Sequence, residues 1–163
     1  VLSNTKTMLR VTPVYGSRWS SLGPADAPTC TLVEYADCRV LLNVGWWSSA
    51  TDEFPQLPPH DCLILTDSTL QSMGGLPLYY QQMQNVAQEQ RQAQRVHNKE
   101  RGILLTEEEE AAQTAQIQIP QIYATFPIVK MGQMTLYDHH ANLCSDGARP
   151  PFTLSQMDDA VAA

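Results

Sequence analysis

The sequence predicts an α/β fold in which strands and helices pack in layers around one hydrophobic core. The chain has 163 residues, of which 43% are hydrophobic and 17% are charged, and this length suits one globular domain. Short apolar runs bounded by turn residues, such as Cys62-Leu63-Ile64-Leu65, are typical of interior strands. Apolar residues that recur at three- and four-residue spacing from Leu76 onward indicate an amphipathic helix. Because the two kinds of element alternate along the chain, we expect a sheet covered by helices.

The first half of the chain predicts four strands. Leu9–Val14 alternates apolar and polar residues, and Thr29–Tyr35 does so with β-branched and aromatic residues that favour sheets. The turn Ala36-Asp37 joins the second of these strands to Arg39–Asn43 in a hairpin. The apolar centre of Arg39–Asn43 predicts a strand that is buried on both faces. Cys62–Leu65 follows as the fourth strand.

A polar segment interrupts the second half of the chain. After the polar stretch Thr66–Met73, which we expect to be a loop, the helix that starts at Leu76 leads into residues 84–118. This segment is rich in Gln and Glu and has few large apolar residues, so it predicts a solvated, partly helical insertion. Within it, Thr106 followed by four glutamates indicates a helix N-terminus.

The last part of the chain predicts a strand and two helices. Gln121–Val129 has the composition of a strand that Pro127 ends or kinks, and Lys130–Cys144 has the pattern of a helix. Thr153 and Gln156 have the spacing of a capping box for a final helix. Since the sequence ends seven residues after Gln156, we expect residues 1–163 to form part of a larger domain.

Charge and cysteine content exclude several functions. The net charge of −7 disfavours autonomous RNA binding, which depends on Lys and Arg side chains that neutralise phosphates. No run approaches the roughly 20 apolar residues of a membrane helix. The four cysteines lie far apart without a C-x-x-C pair, so the signature of a structural zinc site is missing and we expect reduced thiols. No cofactor is predicted.

The strongest candidate for a site is the polar stretch after the fourth strand. Ligands bind at the carboxyl ends of interior strands, where loops bring side chains together. The stretch supplies one carboxylate and neutral oxygens and amides, from Asp67, Ser68, Thr69, Gln71 and Ser72. A hydrolytic zinc centre needs imidazoles and carboxylates that hold the ion and acidify its water, and Asp67 alone cannot do this. The four histidines are not spaced as a helical metal pair and favour structural roles; they are His60, His97, His139 and His140.

Four motifs of the chain resemble, in order, motifs of one protein family. Val40-Leu-Leu-Asn-Val-Gly-Trp46 is similar to L-L-D-C-G-W, and Leu63-Ile-Leu-Thr66 with Gly74-Gly-Leu-Pro-Leu-Tyr79 is similar to L-L-S-H and G-A-L-P-Y. Ile122-Tyr-Ala-Thr-Phe-Pro-Ile-Val-Lys-Met-Gly-Gln-Met134, followed by Tyr137-Asp138, is the longest and most specific, and it is similar to I-Y-A-T-x-P-V-x-K-M-G-Q-M-x-x-Y-D. Phe152-Thr-Leu-Ser-Gln-Met-Asp-Asp-Ala160 resembles F-T-L-D-D-V-D-A-A. These are motifs of the cleavage and polyadenylation specificity factor subunit 2 family, in the metallo-β-lactamase/β-CASP group.

The resemblance implies a fold and a set of ligand positions. It implies that residues 1–163 are the N-terminal part of a metallo-β-lactamase-type αββα sandwich, with the insertion at about 84–118. In nucleases of this group the strand-end motif is H-x-H-x-D-H. Its ligand positions fall here on Asp67, Thr69, Gln71 and Ser72, so all four differ from the nuclease pattern, and Asn43 replaces the family's Asp.

The resemblance also implies a function. We expect a non-catalytic, nuclear subunit of the pre-mRNA 3′-end cleavage and polyadenylation complex. Its expected partners are the endonuclease subunit and a symplekin-like scaffold, with pre-mRNA reached through the complex. Two alternatives stay open at this point. One is an active metal-dependent RNA nuclease of the same fold, and the other is the pseudo-nuclease subunit of an Integrator-like RNA-processing complex.

Overall fold

A five-stranded mixed sheet with helices against it forms the body of the protein. The computed structural model describes residues 8–15, 27–46, 53–101, 117 and 119–163. The strands are β1 (Leu9–Tyr15), β2 (Cys30–Tyr35), β3 (Cys38–Leu42), β4 (Cys62–Ile64) and β5 (Gln121–Tyr123), and they lie in this order in the sheet. The helices are α1 (Leu70–Met73), α2 (Leu76–Glu100), α3 (Phe126–Ser145) and α4 (Leu154–Ala162). The predicted α/β class is therefore confirmed.

The sheet changes from antiparallel to parallel at β3. β1, β2 and β3 form an antiparallel meander, and the predicted hairpin turns at Ala36, which adopts a positive φ of 53°. β3, β4 and β5 are parallel, with Leu41 opposite Leu63 and Leu63 opposite Ile122. Because parallel strands share one carboxyl edge, the chain leaves β3 and β4 at neighbouring points.

One face of the sheet carries the core. This face carries the buried side chains of β2, β3 and β4, which are Cys30, Leu32, Leu41 and Leu63. They share one face because successive residues of a strand point to opposite sides. Full burial of a leucine contributes roughly 1.5–3 kcal/mol, so this row is a main source of stability. The helices and the bend before α4 supply the opposing apolar side chains, which include Met73, Leu76, Tyr79, Leu136, Phe152 and Met157.

The expectation that β3 is buried on both faces is wrong. Leu41 is fully buried, whereas its neighbours Val40 and Leu42, which point to the opposite face, are only half-buried. Within the described residues, the fully buried side chains of the sheet all lie on the face that carries Leu41. The apolar run had suggested a strand enclosed on both sides, but the described elements enclose only one.

Two predicted boundaries around Pro127 are also wrong. The strand predicted at Gln121–Val129 ends at Tyr123, and the helix predicted from Lys130 already begins at Phe126. Pro127 lies in the first turn of α3, with Thr125 as the N-cap residue. A proline fits there because the first turn needs no hydrogen bond from its N–H and its fixed φ is already helical. The proline therefore starts the helix instead of ending a strand.

The helix predicted from Leu76 extends beyond the residues that carry the apolar pattern. α2 continues without a break from Leu76 through Glu100, so residues 84–100 of the polar segment are helical. In the second half of α2 most side chains are exposed, and the last fully buried one is Ala87. The helix start predicted at Thr106 lies outside the described residues. Among the described helices, none is both long and apolar enough to span a membrane.

The predicted capping box of the last helix is confirmed. The Thr153 hydroxyl accepts from the Gln156 N–H at 3.3 Å, and the Gln156 Oε1 accepts from the Thr153 N–H at 2.7 Å. The Gln156 amide also donates to the Gln81 side chain on α2 at 3.0 Å, and the Tyr137 hydroxyl on α3 donates to Asp158. The first turns of α4 are therefore fixed both locally and against the two longer helices.

The side chain of His60 links the segment before β4 to helix α2. His60 Nδ1 lies 2.8 Å from the Pro58 carbonyl, and His60 Nε2 lies 2.9 Å from the hydroxyl of the buried Tyr79 on α2. A carbonyl oxygen can only accept, so Nδ1 donates and the neutral ring accepts from Tyr79 through Nε2. Burial lowers the pKa of His60 below its ordinary value of 6.5, although the Pro58 carbonyl and Asp61 act in the opposite direction.

This pair predicts an acid-sensitive contribution to stability. Because the folded-state pKa of His60 is depressed, its contribution is fully present above 6.5 and is lost as the pH falls from there through the lower folded-state pKa. Thermal unfolding of wild type and His60→Gln should therefore differ most at neutral pH and converge under mildly acidic conditions. His97→Gln on the exposed part of α2 is the control. Parallel pH profiles for wild type and His60→Gln would contradict this interpretation.

Candidate functional site

The candidate site lies at the carboxyl edge of the two parallel strands β3 and β4. Asn43 follows β3, and Thr66 and Asp67 follow β4. Asn43 has a positive φ of 62°, a conformation that Asn tolerates better than most residues. Its Oδ1 atom accepts from the Thr66 N–H at 2.9 Å and from the Thr66 hydroxyl at 3.0 Å. The side chain of Asn43 therefore fastens the end of one strand to the end of the next.

Asp67 is the centre of a hydroxyl cluster, which we define as Asp67 with Thr66, Thr69 and Ser72. One carboxylate oxygen accepts from the Thr69 N–H at 2.9 Å and from the Thr69 hydroxyl at 2.5 Å. The other accepts from the Ser72 hydroxyl at 2.5 Å and lies 3.4 Å from the Thr66 hydroxyl. Ser72 is buried, with 4% of its surface exposed, so its hydroxyl depends on Asp67 as a partner.

The hydroxyl cluster keeps Asp67 ionised. Partial burial raises the pKa of the carboxyl, but the hydrogen bonds from Ser72, Thr69 and Thr66 together outweigh it and hold the pKa below the ordinary value of 3.8. The negative charge is therefore stabilised by hydroxyl and amide donors of the protein itself. Those donors occupy both carboxylate oxygens.

Gln71 takes part through its main chain. Its carbonyl oxygen accepts from the Thr29 N–H at 2.8 Å and from the Thr29 hydroxyl at 3.2 Å. The same carbonyl passes so close to Gly45 that a Cβ atom on residue 45 would lie 1.6 Å from the oxygen. Of the four predicted ligand positions, the structure thus brings Asp67, Thr69 and Ser72 together and joins Gln71 to the chain before β2.

The donor chemistry of this site does not fit a catalytic zinc ion. Zinc centres are built from imidazole, thiolate and carboxylate groups, and three protein ligands are usual in catalytic ones. The cluster offers one carboxylate, already bonded through both oxygens, and hydroxyl groups. In the described part of the chain no three His, Cys, Asp or Glu side chains converge as a metal site.

The histidines lie elsewhere in the fold. His60 is bonded to Tyr79, and His97 is exposed on α2. His139 and His140 are half-buried on α3, where burial and the neighbouring His140 lower the pKa of His139. None of the four belongs to a three-residue ligand group with Asp67 within the described ranges.

Sequence reasoning missed two parts of the site. Thr66–Met73 was expected to be a loop, but its second half is α1, whose short turn begins after Thr69. The Asp-Ser-Thr sequence was the available signal, because an Asp side chain that accepts from the N–H two residues later is a common start of such a turn. The bond between Asn43 and Thr66 could not be found without the pairing of β3 with β4.

Two comparisons with known proteins found no match. No protein-family model and no curated protein matches the chain. The family resemblance therefore depends on the quoted motifs alone.

The hydroxyl cluster predicts that Asp67 contributes to stability. Asp67→Ala leaves the buried Ser72 hydroxyl and the Thr69 N–H without their acceptor, which costs on the order of 1–3 kcal/mol. Asp67→Asn keeps one acceptor oxygen and should cost less. Urea unfolding at neutral pH measures both, with Asp37→Ala in the exposed β2–β3 turn as the control. Equal stability of wild type and Asp67→Ala would refute the structural role.

Substitution of Gly45 should lower stability more than substitution of Asp67, because Gly45 contacts the main chain. A Cβ at this position would also lie 2.8 Å from the Thr29 nitrogen, so neither neighbour can move aside by a rotamer change. We expect Gly45→Ala to lower stability by more than about 3 kcal/mol or to prevent folding, in the range of the most damaging substitutions. Gly147→Ala is the control. At this position no atom lies within 4 Å of the new Cβ, so only the positive φ of 72° disfavours the alanine. Chemical unfolding should rank Gly45→Ala as clearly worse; the reverse order would argue against the close packing.

Proposed function

We propose that this chain is a non-catalytic subunit of the pre-mRNA 3′-end cleavage and polyadenylation complex and acts as structural partner of the endonuclease subunit. The observation that carries the proposal is the hydroxyl cluster. It lies at the strand end where nucleases of the resembled group place their metal ligands, and it uses its only carboxylate to order the chain. A site of this composition supports a structural role, because it lacks the imidazoles and further carboxylates that would hold a metal ion and acidify its water.

The packing of the motif residues supports the resemblance. The Gly75 N–H of the second motif donates to the Val44 carbonyl of the first at 2.8 Å, and the Leu65 N–H of the second donates to the Tyr123 carbonyl of the third at 2.9 Å. Tyr137, at the end of the third motif, donates to Asp158 in the fourth motif. Segments that are distant in sequence and that share similarity with one family therefore contact one another. This is what retention of a common fold would produce.

The sheet face that the described helices leave uncovered supports a metallo-β-lactamase-type αββα sandwich as the finer fold. We call this face the open sheet face. By strand register it carries no charged residue: its members are Leu9, Val11, Pro13, Thr31, Val33, Tyr35, Cys38, Val40, Leu42, Cys62, Ile64, Gln121 and Tyr123. Val11 and Tyr123 are 58% and 51% exposed. An uncharged and mostly apolar sheet face of this size suits burial under a second layer.

The proposed partners follow from the same resemblance. They are the endonuclease subunit of the complex and a symplekin-like scaffold, in the nucleus, and the chain would reach pre-mRNA through them. The acidic net charge of −7 agrees with a subunit that contacts other proteins instead of neutralising RNA phosphates.

Affinity purification of the tagged chain from nuclear extract tests the partners. We expect the polyadenylation endonuclease and the symplekin-like scaffold to be recovered in constant ratio. Recovery of Integrator subunits in their place would overturn the assignment to this complex. As a second arm, the purified chain is incubated with zinc and a labelled RNA, and we expect no cleavage. RNA cleavage that Asp67→Ala abolishes would overturn the non-catalytic assignment.

The open sheet face predicts apolar dye binding by the isolated chain. We expect the chain to bind anilinonaphthalene sulfonate and to aggregate on heating, because apolar sheet surface is accessible. The double variant Val11→Thr and Val40→Thr keeps β-branched side chains but should reduce the dye fluorescence. Val96→Thr on α2 removes an exposed valine outside the sheet and is the control. A soluble monomer with a sharp two-state melt and no dye binding would show that the face is not available.

A further inference from the structure

We propose that the second half of α2 carries a docking site for an acidic peptide segment of a partner protein. The site is a row of three cations, Arg91, Arg95 and Lys99, which we call the basic stripe. Residues four apart lie on one face of a helix, so the three side chains point the same way at intervals of about 6 Å along the axis. All three are exposed. The basic stripe lies in another element from the hydroxyl cluster and does not depend on the proposed function.

The basic stripe concentrates positive charge in an acidic chain. Residues 91–101 hold four of the ten Lys and Arg side chains and one of the seventeen Asp and Glu side chains, although the net charge of the whole chain is −7. The acidic residues of this part of α2 are Glu89 and Glu100, and neither lies three or four positions from a member of the stripe. Because only those spacings bring side chains of one helix together, the two glutamates are poorly placed to neutralise it.

The described structure provides no carboxylate for the basic stripe. Within α2, the positions three and four residues from its members hold Ala, Val, Gln, Asn or another member of the stripe. Arg91 donates to the Ile117 carbonyl at 3.1 Å, which is a neutral acceptor, and no carboxylate of the described residues forms an ion pair with the stripe. Like charges four residues apart lower the stability of a helix. An anion from outside would relieve this repulsion.

The dipole of the helix accounts for only one member of the basic stripe. Cations stabilise the last turn of a helix, because its carboxyl end carries partial negative charge, and Lys99 lies in the last turn of α2. Arg91 and Arg95 lie further from the end at Glu100, where this effect has fallen off. A helix-stabilising role therefore leaves the two arginines, which can bind carboxylates through two parallel hydrogen bonds, unexplained.

An acidic peptide fits the basic stripe better than a nucleic acid does. RNA carries phosphates well beyond the three that the stripe could contact, and the acidic remainder of the chain repels them. Residues 84–101 also contain no Phe, Trp or Tyr on which a base could stack. A peptide with three carboxylates matches the stripe in number. If the peptide is helical and has Glu at every fourth position, its carboxylates repeat at the same interval of about 6 Å.

Fluorescence anisotropy of a labelled alanine-based peptide with three glutamates four residues apart tests the proposal. We expect the full chain to bind this peptide, to bind it more weakly as salt screens the charges, and not to bind the same peptide with glutamines in place of the glutamates. The double variant Arg95→Gln and Lys99→Gln should weaken the affinity by roughly fivefold or more. The double variant Lys130→Gln and Arg149→Gln removes the same charge elsewhere and should leave the affinity unchanged.

Three results would overturn the proposal. The first is equal peptide affinity of wild type and the Arg95→Gln, Lys99→Gln variant. The second is tighter binding of a labelled single-stranded RNA than of the peptide, which would assign the basic stripe to nucleic acid. The third is peptide binding only after the four glutamates at 107–110 are replaced by glutamine, which would show that the chain neutralises the stripe itself. Circular dichroism verifies that α2 is intact, as expected because glutamine is a good helix former. Recovery of complex subunits and RNA cleavage belong to the separate test of the proposed function, so the two proposals can fail independently.

Discussion

The structure depends on a set of main-chain hydrogen bonds between residues 43–46 and the α1 turn. The Val44 N–H donates to the Ser72 carbonyl at 2.8 Å, the Gly75 N–H to the Val44 carbonyl at 2.8 Å, and the Trp46 N–H to the Leu70 carbonyl at 3.2 Å. These bonds require close approach of two backbones, which Gly45 and the glycines at the end of α1 permit. They fix where α2 begins, and α2 then places Tyr79 in the core.

The candidate site is a consequence of the same arrangement. Because the α1 turn is fixed from outside, Ser72 and Thr69 are brought back toward Asp67, and the carboxylate is enclosed by donors of its own segment. In a metal enzyme a strand-end carboxylate has an ion as its partner. Here hydroxyl groups are the partners of the carboxylate, so its charge contributes to the order of the chain.

The predictable parts of the fold are those that depend on interactions between residues close together in the sequence. The apolar run Cys62–Leu65 and the capping residues Thr153 and Gln156 act on their immediate neighbours, and both were found where expected. Pro127 was misinterpreted because a proline suits both the end of a strand and the first turn of a helix, and only packing of the helix decides between them. The turn after Thr69 was missed although Asp67-Ser68-Thr69 signals it locally; the bonds that fix it against Val44 and Trp46 join residues more than twenty positions apart. For the site, the sequence identified the segment but not its partner Asn43, since strand pairing is not a local property.

The two edges of the sheet have a consequence for how the protein can be covered. Within the described residues, β1 forms one edge and contains a proline and an irregular pairing between Pro13 and Tyr15, while β5 at the other edge is only three residues long. Proline, irregular pairing and shortness are features by which natural proteins prevent the addition of further strands. Lateral pairing of a further strand is therefore discouraged at the two edges that the described strands form, so a second layer is favoured along the sheet normal.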